Sequence, residues 1–207
     1  MISLDKKFIF IHINKTAGTS IKQALQPNRV APSTIFQDDN EKDSNLEAIL
    51  DVYRHPHWVY DEYKRHFGNS FNDFFKFSVV RNPWDRVVST YEYERAKPVP
   101  FRSWARPRDN PPSFKEWVVA NYNNNFENRM FNPCVYWLGD KMDFIARFEN
   151  LHEDFEKICK IINVECNLGH YKRSKDRDLY KNYYDYETRE IVQAHFIKDI
   201  NAFNYKF

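Results

Sequence analysis

Glycine is scarce in this chain: 4 of its 207 residues are Gly, against an average usage of about 7%. A phosphate loop that needs several glycines is therefore disfavoured, and no glycine precedes Lys15 at all. Cysteine is also scarce, with three residues and no CxxC spacing. Neither a metal site nor a disulfide framework is indicated, so a reducing compartment, the cytoplasm, is the expected location.

A net charge of one sign is missing as well. Lys and Arg number 31 and Asp and Glu 29, which leaves +2. This balance argues against a nucleic-acid coat or a polybasic membrane binder, although local basic clusters can still hold small anions. The apolar run at residues 8–13 is too short for a signal peptide or a membrane span, and only seven residues precede it. We therefore expect a soluble protein without a membrane anchor.

What the chain does have is a core. Hydrophobic residues make up 42% and aromatic residues 17%, which suits one well-filled domain over 1–207. Apolar runs predict strands at 8–13, 77–80 and 143–148. Helical spacing predicts helices from residue 21, over 60–67 with Gly68 as the stop, from Pro83, over 114–121, and around 151–162 and 192–203. Strands that alternate with helices favour an α/β fold with a mainly parallel sheet.

A polar loop, NKTAGTS, follows the first predicted strand and leads into a helix. A helix N-terminus offers unpaired N–H groups and a partial positive charge, so it attracts anions. Lys15 supplies a point charge, Gly18 permits close approach of the backbone, and the hydroxyl donors are Thr16, Thr19 and Ser20. Thr19 or Ser20 is the predicted N-cap. The loop favours phosphate binding without being a Walker A motif, and a plain turn with a surface lysine is the alternative.

A second polar segment, RNPWDRVVS, follows the strand at 77–80. Asn82 is the predicted N-cap and Pro83 the first helical residue. The core face of this helix is formed by Trp84, Val87, Val88 and Tyr91.

Arg81 stands at the exit of that strand, and Ser89 lies eight residues on, off the core face. A guanidinium fork and a hydroxyl donor suit a second phosphate. The alternative is a structural arginine paired with Asp85 or Glu92. Because ligands of open α/β sheets bind outside the carboxyl ends of the strands, the two segments together suit a ligand with two phosphate groups.

The two segments resemble those of sulfotransferases. The first is similar to their 5′-phosphosulfate loop (FIFIHINKTAGTS), and the second is similar to their 3′-phosphate motif (FKFSVVRNPWDRVVSTY). The segment DFIARFENLHEDF and the tail from YYDYETRE onward fit the same family, with most similarity to the carbohydrate sulfotransferases of the heparan sulfate 2-O, chondroitin and HNK-1 type and their bacterial relatives. The resemblance covers about residues 8–207. It implies a P-loop-NTPase-like sulfotransferase fold, with a central, mainly parallel sheet flanked by helices.

The resemblance also implies the donor, 3′-phosphoadenosine 5′-phosphosulfate (PAPS). Its 5′-phosphosulfate end would be held by Lys15, Thr16, Ala17, Gly18, Thr19 and Ser20, and its 3′-phosphate by Arg81 and Ser89. The segment HYKRS is similar to a stretch that closes over the nucleotide, which adds Arg173 and Ser174; a solvated basic face is the alternative there. No metal is required, since sulfuryl oxygens carry less charge than phosphoryl oxygens.

Sulfuryl transfer to a hydroxyl needs a proton acceptor, and histidine suits this role. His12 lies inside the first predicted strand, where we expect it to be buried. Family members place a catalytic histidine before a helix that ends in glycine, and the spacing to Gly68 matches it to His57. His55 is the second choice, a surface histidine beside a proline is the structural alternative, and a carboxylate base stays possible. In the implied mechanism His57 takes the proton, and Lys15 stabilises charge on the leaving phosphate.

Two other functions compete with this reading. A P-loop nucleotide or small-molecule kinase would need Mg²⁺ and a Walker A loop, and a nucleic-acid-binding module would need a clearer basic surface. The acceptor cannot be identified from the sequence beyond the resemblance to carbohydrate enzymes. The segment at 97–112 has five prolines and three arginines, so it is a surface loop or a lid. Its residues that could grip an anionic sugar are Phe101, Arg102, Trp104, Arg106 and Arg108.

Overall fold

The computed structural model describes residues 1–25, 57–96, 111–165, 168 and 178–207. The strands in chain order are β1 (Ile2–Ser3), β2 (Phe8–Ile11), β3 (Phe75–Val80) and β4 (Phe144–Arg147). The α-helices are α1 (Gly18–Leu25), α2 (Tyr60–Phe67), α3 (Pro83–Arg95), α4 (Phe114–Asn123), α5 (Cys134–Trp137), α6 (Leu151–Ile161), α7 (Tyr186–His195) and α8 (Ile197–Phe203).

The chain divides into two compact units. One draws on Met1–Val80 and Tyr136–Arg173, and the other on Arg81–Val135 and Ser174–Phe207. Each unit is thus built from two separate stretches of sequence. That 1–207 form one domain stays a prediction.

The first unit holds a four-stranded sheet in the order β1-β2-β3-β4. β2 pairs with β3, and β3 with β4, in parallel, whereas the short β1 is antiparallel to β2. The Ser78 hydroxyl donates to the Ile11 carbonyl oxygen at 2.7 Å, which adds a side-chain tie between the two central strands. The predicted α/β fold with a mainly parallel sheet is confirmed, and β1 is an addition that the sequence did not indicate.

One face of this sheet carries the core of the unit. Phe10 and Phe77 are register partners whose rings stack at 5.1 Å. The core brings together strand, α1 and α6 residues: Phe8, Phe10, Phe77, Val79, Ala146, Ile21, Leu25, Phe155 and Ile158. These side chains, from the sheet and from the two helices, pack tightly against one another. Close packing of this kind holds the carboxyl ends of β2 and β3 on a rigid support.

Most predicted boundaries hold to within a few residues. Helix α2 spans Tyr60–Phe67, and Gly68 ends it at φ 53°, as predicted. The 8–13 strand ends at Ile11, and the 77–80 strand begins earlier, at Phe75. The single helix predicted around 192–203 is wrong: it is two helices, because the chain breaks at Phe196 before α8 begins.

The second unit is helical. Asn82 caps α3 as predicted, since its Oδ1 accepts from the N–H groups of Trp84 and Asp85, and Pro83 is the first helical residue. Two charged side chains are almost fully buried here. Arg86 donates to the carbonyl oxygens of Met130 and Asn132 at 3.0 and 2.9 Å. The other buried charge is a carboxylate near the C-terminus, which accepts hydrogen bonds from the first two N–H groups of α5.

That carboxylate is Asp199, which accepts from the backbone of Cys134 at 2.6 Å and of Val135 at 2.9 Å. Burying either charge without partners would cost several kcal/mol. Arg86 and Asp199 therefore fix the segment that leads into α5. Sequence patterning missed both, because charged residues at these positions are ordinarily solvated.

The cysteines differ from the expectation. Cys134 is free and buried, and burial raises the pKa of its thiol to about 12. Cys159 is disulfide-bonded, with its partner outside the described residues. The sequence suggested no disulfide framework, and an odd count without CxxC spacing leaves room for this one pair. Within the part of the chain that is described, no helix is long and apolar enough to cross a membrane.

Candidate active site

The loop after β2 has a strained backbone. Lys15 and Ala17 adopt positive φ values of 64° and 68°, a conformation that costs an L-residue about 1–2 kcal/mol. Alternation of left-handed and right-handed residues turns successive N–H groups toward one side, which forms an anion-binding concavity. Helix α1 begins directly afterwards, at Gly18. The backbone therefore fits an anionic group by its shape and by the dipole of the helix start.

Three residues of this loop differ from what the sequence suggested. The Thr16 hydroxyl is fully buried and donates to the Ile13 carbonyl oxygen at 3.0 Å, so its proton pins the loop rather than meeting a ligand. Thr19 and Ser20 lie inside the first turn of α1, because the helix begins at Gly18. The prediction that one of them is the N-cap is wrong. Lys15 and Ser20 are half-buried, and Thr19 is exposed.

The packing around position 18 explains why the residue there is glycine. A Cβ atom placed on it would overlap the imidazole ring of His12. No side chain fits unless that ring moves. The glycine therefore serves the packing between α1 and the residue that follows β2, in addition to any approach of a ligand to the backbone.

His12 itself is largely buried, and its Nδ1 has no hydrogen-bond partner among the described residues. Desolvation lowers the pKa of His12 to about 2, with smaller contributions in the same direction from Lys22, His57 and the amino group of Met1. The ring is thus neutral at any physiological pH. His12 was expected inside the first strand and buried, but it follows β2 and is half-buried as a residue.

His57 lies against His12. Its Nδ1 lies 3.1 Å from the carbonyl oxygen of His12, and the two rings lie 4.4 Å apart with 36° between their planes. Trp137 meets His57 edge-on at 6.3 Å. Because a carbonyl oxygen only accepts, Nδ1 must carry the proton, which leaves Nε2 as the basic nitrogen of the neutral ring. This is the tautomer that a general base at Nε2 requires.

The motif after β3 lies in the second unit. The Arg81 side chain is 8% exposed, and its Nε donates to Asp85 at 2.7 Å. An ion pair with Asp85 is what the sequence analysis gave as the alternative to phosphate binding. The Asp85 carboxylate accepts from one of the five N–H groups of the Arg81 guanidinium. It therefore orients the guanidinium and also balances its charge. Ser89 is half-buried on α3, two turns beyond the helix start.

Several sequence-predicted residues lie outside the described parts of the chain. These are His55, Phe101, Arg102, Trp104, Arg106, Arg108, Arg173 and Ser174. Within the first unit the described residues place His57 against His12, which precedes the loop at 14–20. In the second unit Arg81 lies just before α3, and Ser89 lies on that helix. Among the residues that are described, no group of three or more His, Cys, Asp or Glu side chains could hold a metal ion.

Comparison with known proteins gives one family. The model described as "Sulfotransferase family" matches residues 1–206. No curated protein sequence matches the chain. Among solved structures, mouse sulfotransferase SULT7A1 complexed with PAP aligns with a TM-score of 0.51 and 11% identity, over 96% of this chain and 86% of that one. A sulfotransferase from Alicyclobacillus acidocaldarius aligns at 0.49 and 13%, over 94% and 92%. At 11% identity, the match to SULT7A1 supports the fold alone.

Proposed function

Because the chain belongs to the sulfotransferase family, we propose that it transfers a sulfuryl group from PAPS to a hydroxyl group of a carbohydrate. The enzyme class, a PAPS-dependent sulfotransferase, follows from the family. The carbohydrate acceptor is supported by the resemblance of both phosphate motifs to the carbohydrate group. The observation that carries the chemistry is the contact between His57 Nδ1 and the His12 carbonyl oxygen at 3.1 Å, since it leaves Nε2 as the base.

The residues of the first unit fit the reacting end of PAPS. The positive φ values of Lys15 and Ala17 and the start of α1 at Gly18 shape a cradle for the phosphosulfate. Lys15 adds a positive charge, which stabilises the charge that develops on the leaving phosphate. His57 accepts the proton of the acceptor hydroxyl at Nε2, and the His12 carbonyl stabilises the imidazolium through Nδ1–H.

The residues of the second unit fit the 3′-phosphate. Arg81, just before α3, supplies a guanidinium that Asp85 orients, and Ser89 supplies a hydroxyl from α3. A charge-assisted, forked contact suits a phosphate monoester better than a neutral ribose hydroxyl. This pair would therefore distinguish adenosine 3′,5′-bisphosphate, the product nucleotide, from 5′-AMP.

The first experiment is calorimetric binding of adenosine 3′,5′-bisphosphate, with ATP–Mg²⁺ and 5′-AMP as competitors. We expect selective binding of the bisphosphate. A preference for ATP–Mg²⁺ would overturn the donor assignment in favour of a kinase. Turnover is then measured with PAPS on a panel of neutral and uronic-acid oligosaccharides, phenols and steroids; turnover confined to phenols or steroids would overturn the carbohydrate acceptor.

The base is tested with His57→Ala. Loss of general-base catalysis lowers turnover by about 10²–10⁴-fold, while bisphosphate affinity and the melting temperature stay near wild type. His66→Ala is the matched control, because His66 also has its Nδ1 near a backbone carbonyl, that of Glu62 at 3.1 Å, and is exposed on α2. Undiminished turnover in the His57 variant would remove His57 from this role.

A further inference from the structure

His12 lies at the centre of the contacts around the base. Its carbonyl oxygen faces His57 Nδ1 at 3.1 Å, and its ring lies against the His57 ring at 4.4 Å. On another side the same ring fills the space that a Cβ on Gly18 would need. The ring also stacks on Phe10, a residue of the sheet core, at 5.8 Å.

One side chain therefore touches three functional parts of the first unit: the sheet, the start of the donor helix α1 and the base. We propose that His12 is a positioning residue, which holds His57 in one tautomer and in register with the donor loop. The proposal rests on the proposed role of His57 in proton transfer. His12 itself touches neither nucleotide nor acceptor in this scheme.

His12 acts through position and not through charge. The groups that face it are Lys22 from α1, the Met1 amino group and His57, and together with burial they keep the ring neutral. A neutral ring exerts no net charge on its neighbour, so its effect comes from packing. A displacement of about 1 Å in a catalytic group is enough to lower turnover by about 10²-fold.

The contact with Gly18 gives the proposal a two-sided test. His12→Ala removes the ring and leaves His57 without the surface that holds it against the carbonyl. Gly18→Ala leaves both histidines intact but inserts a methyl group where the His12 ring lies. The double variant His12→Ala/Gly18→Ala has room for that methyl group. If the ring transmits the effect, Gly18→Ala costs activity in the wild-type background and little in the His12→Ala background.

The primary readout needs no activity. Long-range ¹H–¹⁵N correlation NMR of the full chain reports which nitrogen of His57 carries the proton. We expect a single Nδ1–H tautomer in the wild type and a mixture in His12→Ala and in Gly18→Ala. His66→Ala serves as the control and leaves the His57 signals unchanged. A single Nδ1–H tautomer in both variants would overturn the proposal.

The kinetic readout separates positioning from binding. In His12→Ala, kcat is expected to fall about 10- to 100-fold, whereas bisphosphate affinity changes less than about twofold. A purely structural role would instead lower the melting temperature without this split. If His12→Ala does not fold, Gly18→Ala alone gives the same test from the side of the helix.

The base role of His57 and the positioning role of His12 can fail separately. If His57→Ala retains full turnover while the His12 variants lose the tautomer, the proposed base is wrong and the positioning contact stands. If His57→Ala is inactive while His12→Ala and Gly18→Ala keep wild-type kcat and the single tautomer, the positioning role is wrong and the proposed base stands.

Discussion

The two phosphate motifs follow neighbouring parallel strands, yet their backbones are built in opposite ways. After β2 the chain takes positive φ at Lys15 and Ala17 and closes around the ring of a buried histidine. After β3 it enters a regular helix at once, with Asn82 as the cap and Pro83 in the first position. The first motif depends on tertiary packing to hold a strained shape, and the second depends on local capping chemistry.

In the proposed function the two motifs would have different kinds of specificity. A strained concavity of N–H groups would bind an anion without regard to what carries it. A guanidinium oriented by Asp85 at 2.7 Å would bind a phosphate at a fixed place on the nucleotide. The contrast can be broken by variants that exchange one behaviour for the other.

The largest expected effect is on nucleotide selectivity. Arg81→Met removes charge-assisted hydrogen bonds worth about 1.5–3 kcal/mol, so affinity for adenosine 3′,5′-bisphosphate should fall about 10- to 100-fold. Affinity for 5′-AMP should change little, because it lacks the 3′-phosphate. Isothermal calorimetry with both nucleotides measures the ratio.

The matched control is Arg95→Met at the end of α3, where the arginine is exposed and pairs with Glu92. Lys15→Ala gives the opposite pattern, weaker binding of both nucleotides. If Arg81→Met lowered the affinity for both nucleotides equally, Arg81 would not belong to the 3′-phosphate site. Its ion pair with Asp85 would then mark it as a structural arginine.

A smaller effect, on stability, separates the two roles of the Asn82 side chain. Asn82 accepts from two N–H groups of α3 through Oδ1, and its Nδ2 donates to the Lys206 carbonyl oxygen at 2.9 Å. Asn82→Ala loses both and should lower the free energy of unfolding by about 1–2 kcal/mol. Asn82→Asp keeps the cap oxygen and loses the donor, so its loss should be smaller. Urea unfolding of the three proteins decides it, and equal stability of Asp and Ala variants would show that the cap contributes nothing.

The same contrast explains what the sequence could predict. Asn-Pro before an apolar helical stripe indicates a cap, a first helical residue and a core face, and Asn82, Pro83 and Trp84 all take those places. The strands around them could be predicted for the same reason, because their signal is local. The resemblance of the two motifs to those of sulfotransferases also predicted the family, which the match over residues 1–206 confirms, whereas the carbohydrate subgroup stays a prediction.

The shape of the first motif could not be predicted. Positive φ at Lys15 and Ala17 contradicts the local preference of both residues, so no propensity indicates it. The role of His12 depends on Gly18 and His57, which are six and 45 residues away along the chain. Such contacts are set by the fold, and a single sequence carries no signal for them. This is why the sequence predicts an N-cap at Thr19 or Ser20, whereas the helix already begins at Gly18.

The smallest predicted effect tests the strain itself. Glycine at position 17 would relieve the cost of a positive φ, about 1–2 kcal/mol, but would add about 0.4–1 kcal/mol of conformational entropy to the unfolded chain. Ala17→Gly should therefore be neutral or raise the free energy of unfolding by about 0.5–1 kcal/mol, measured by urea unfolding.

Ala24→Gly is its control, because Ala24 has a helical backbone in α1, where glycine should cost about 1 kcal/mol. The sign of the difference between the two variants is the result that matters. If Ala17→Gly destabilises the chain as much as Ala24→Gly does, residue 17 has ordinary backbone geometry in solution. The two motifs would then be built alike, and recognition of the phosphosulfate would depend on Lys15 and the helix dipole without a strained cradle.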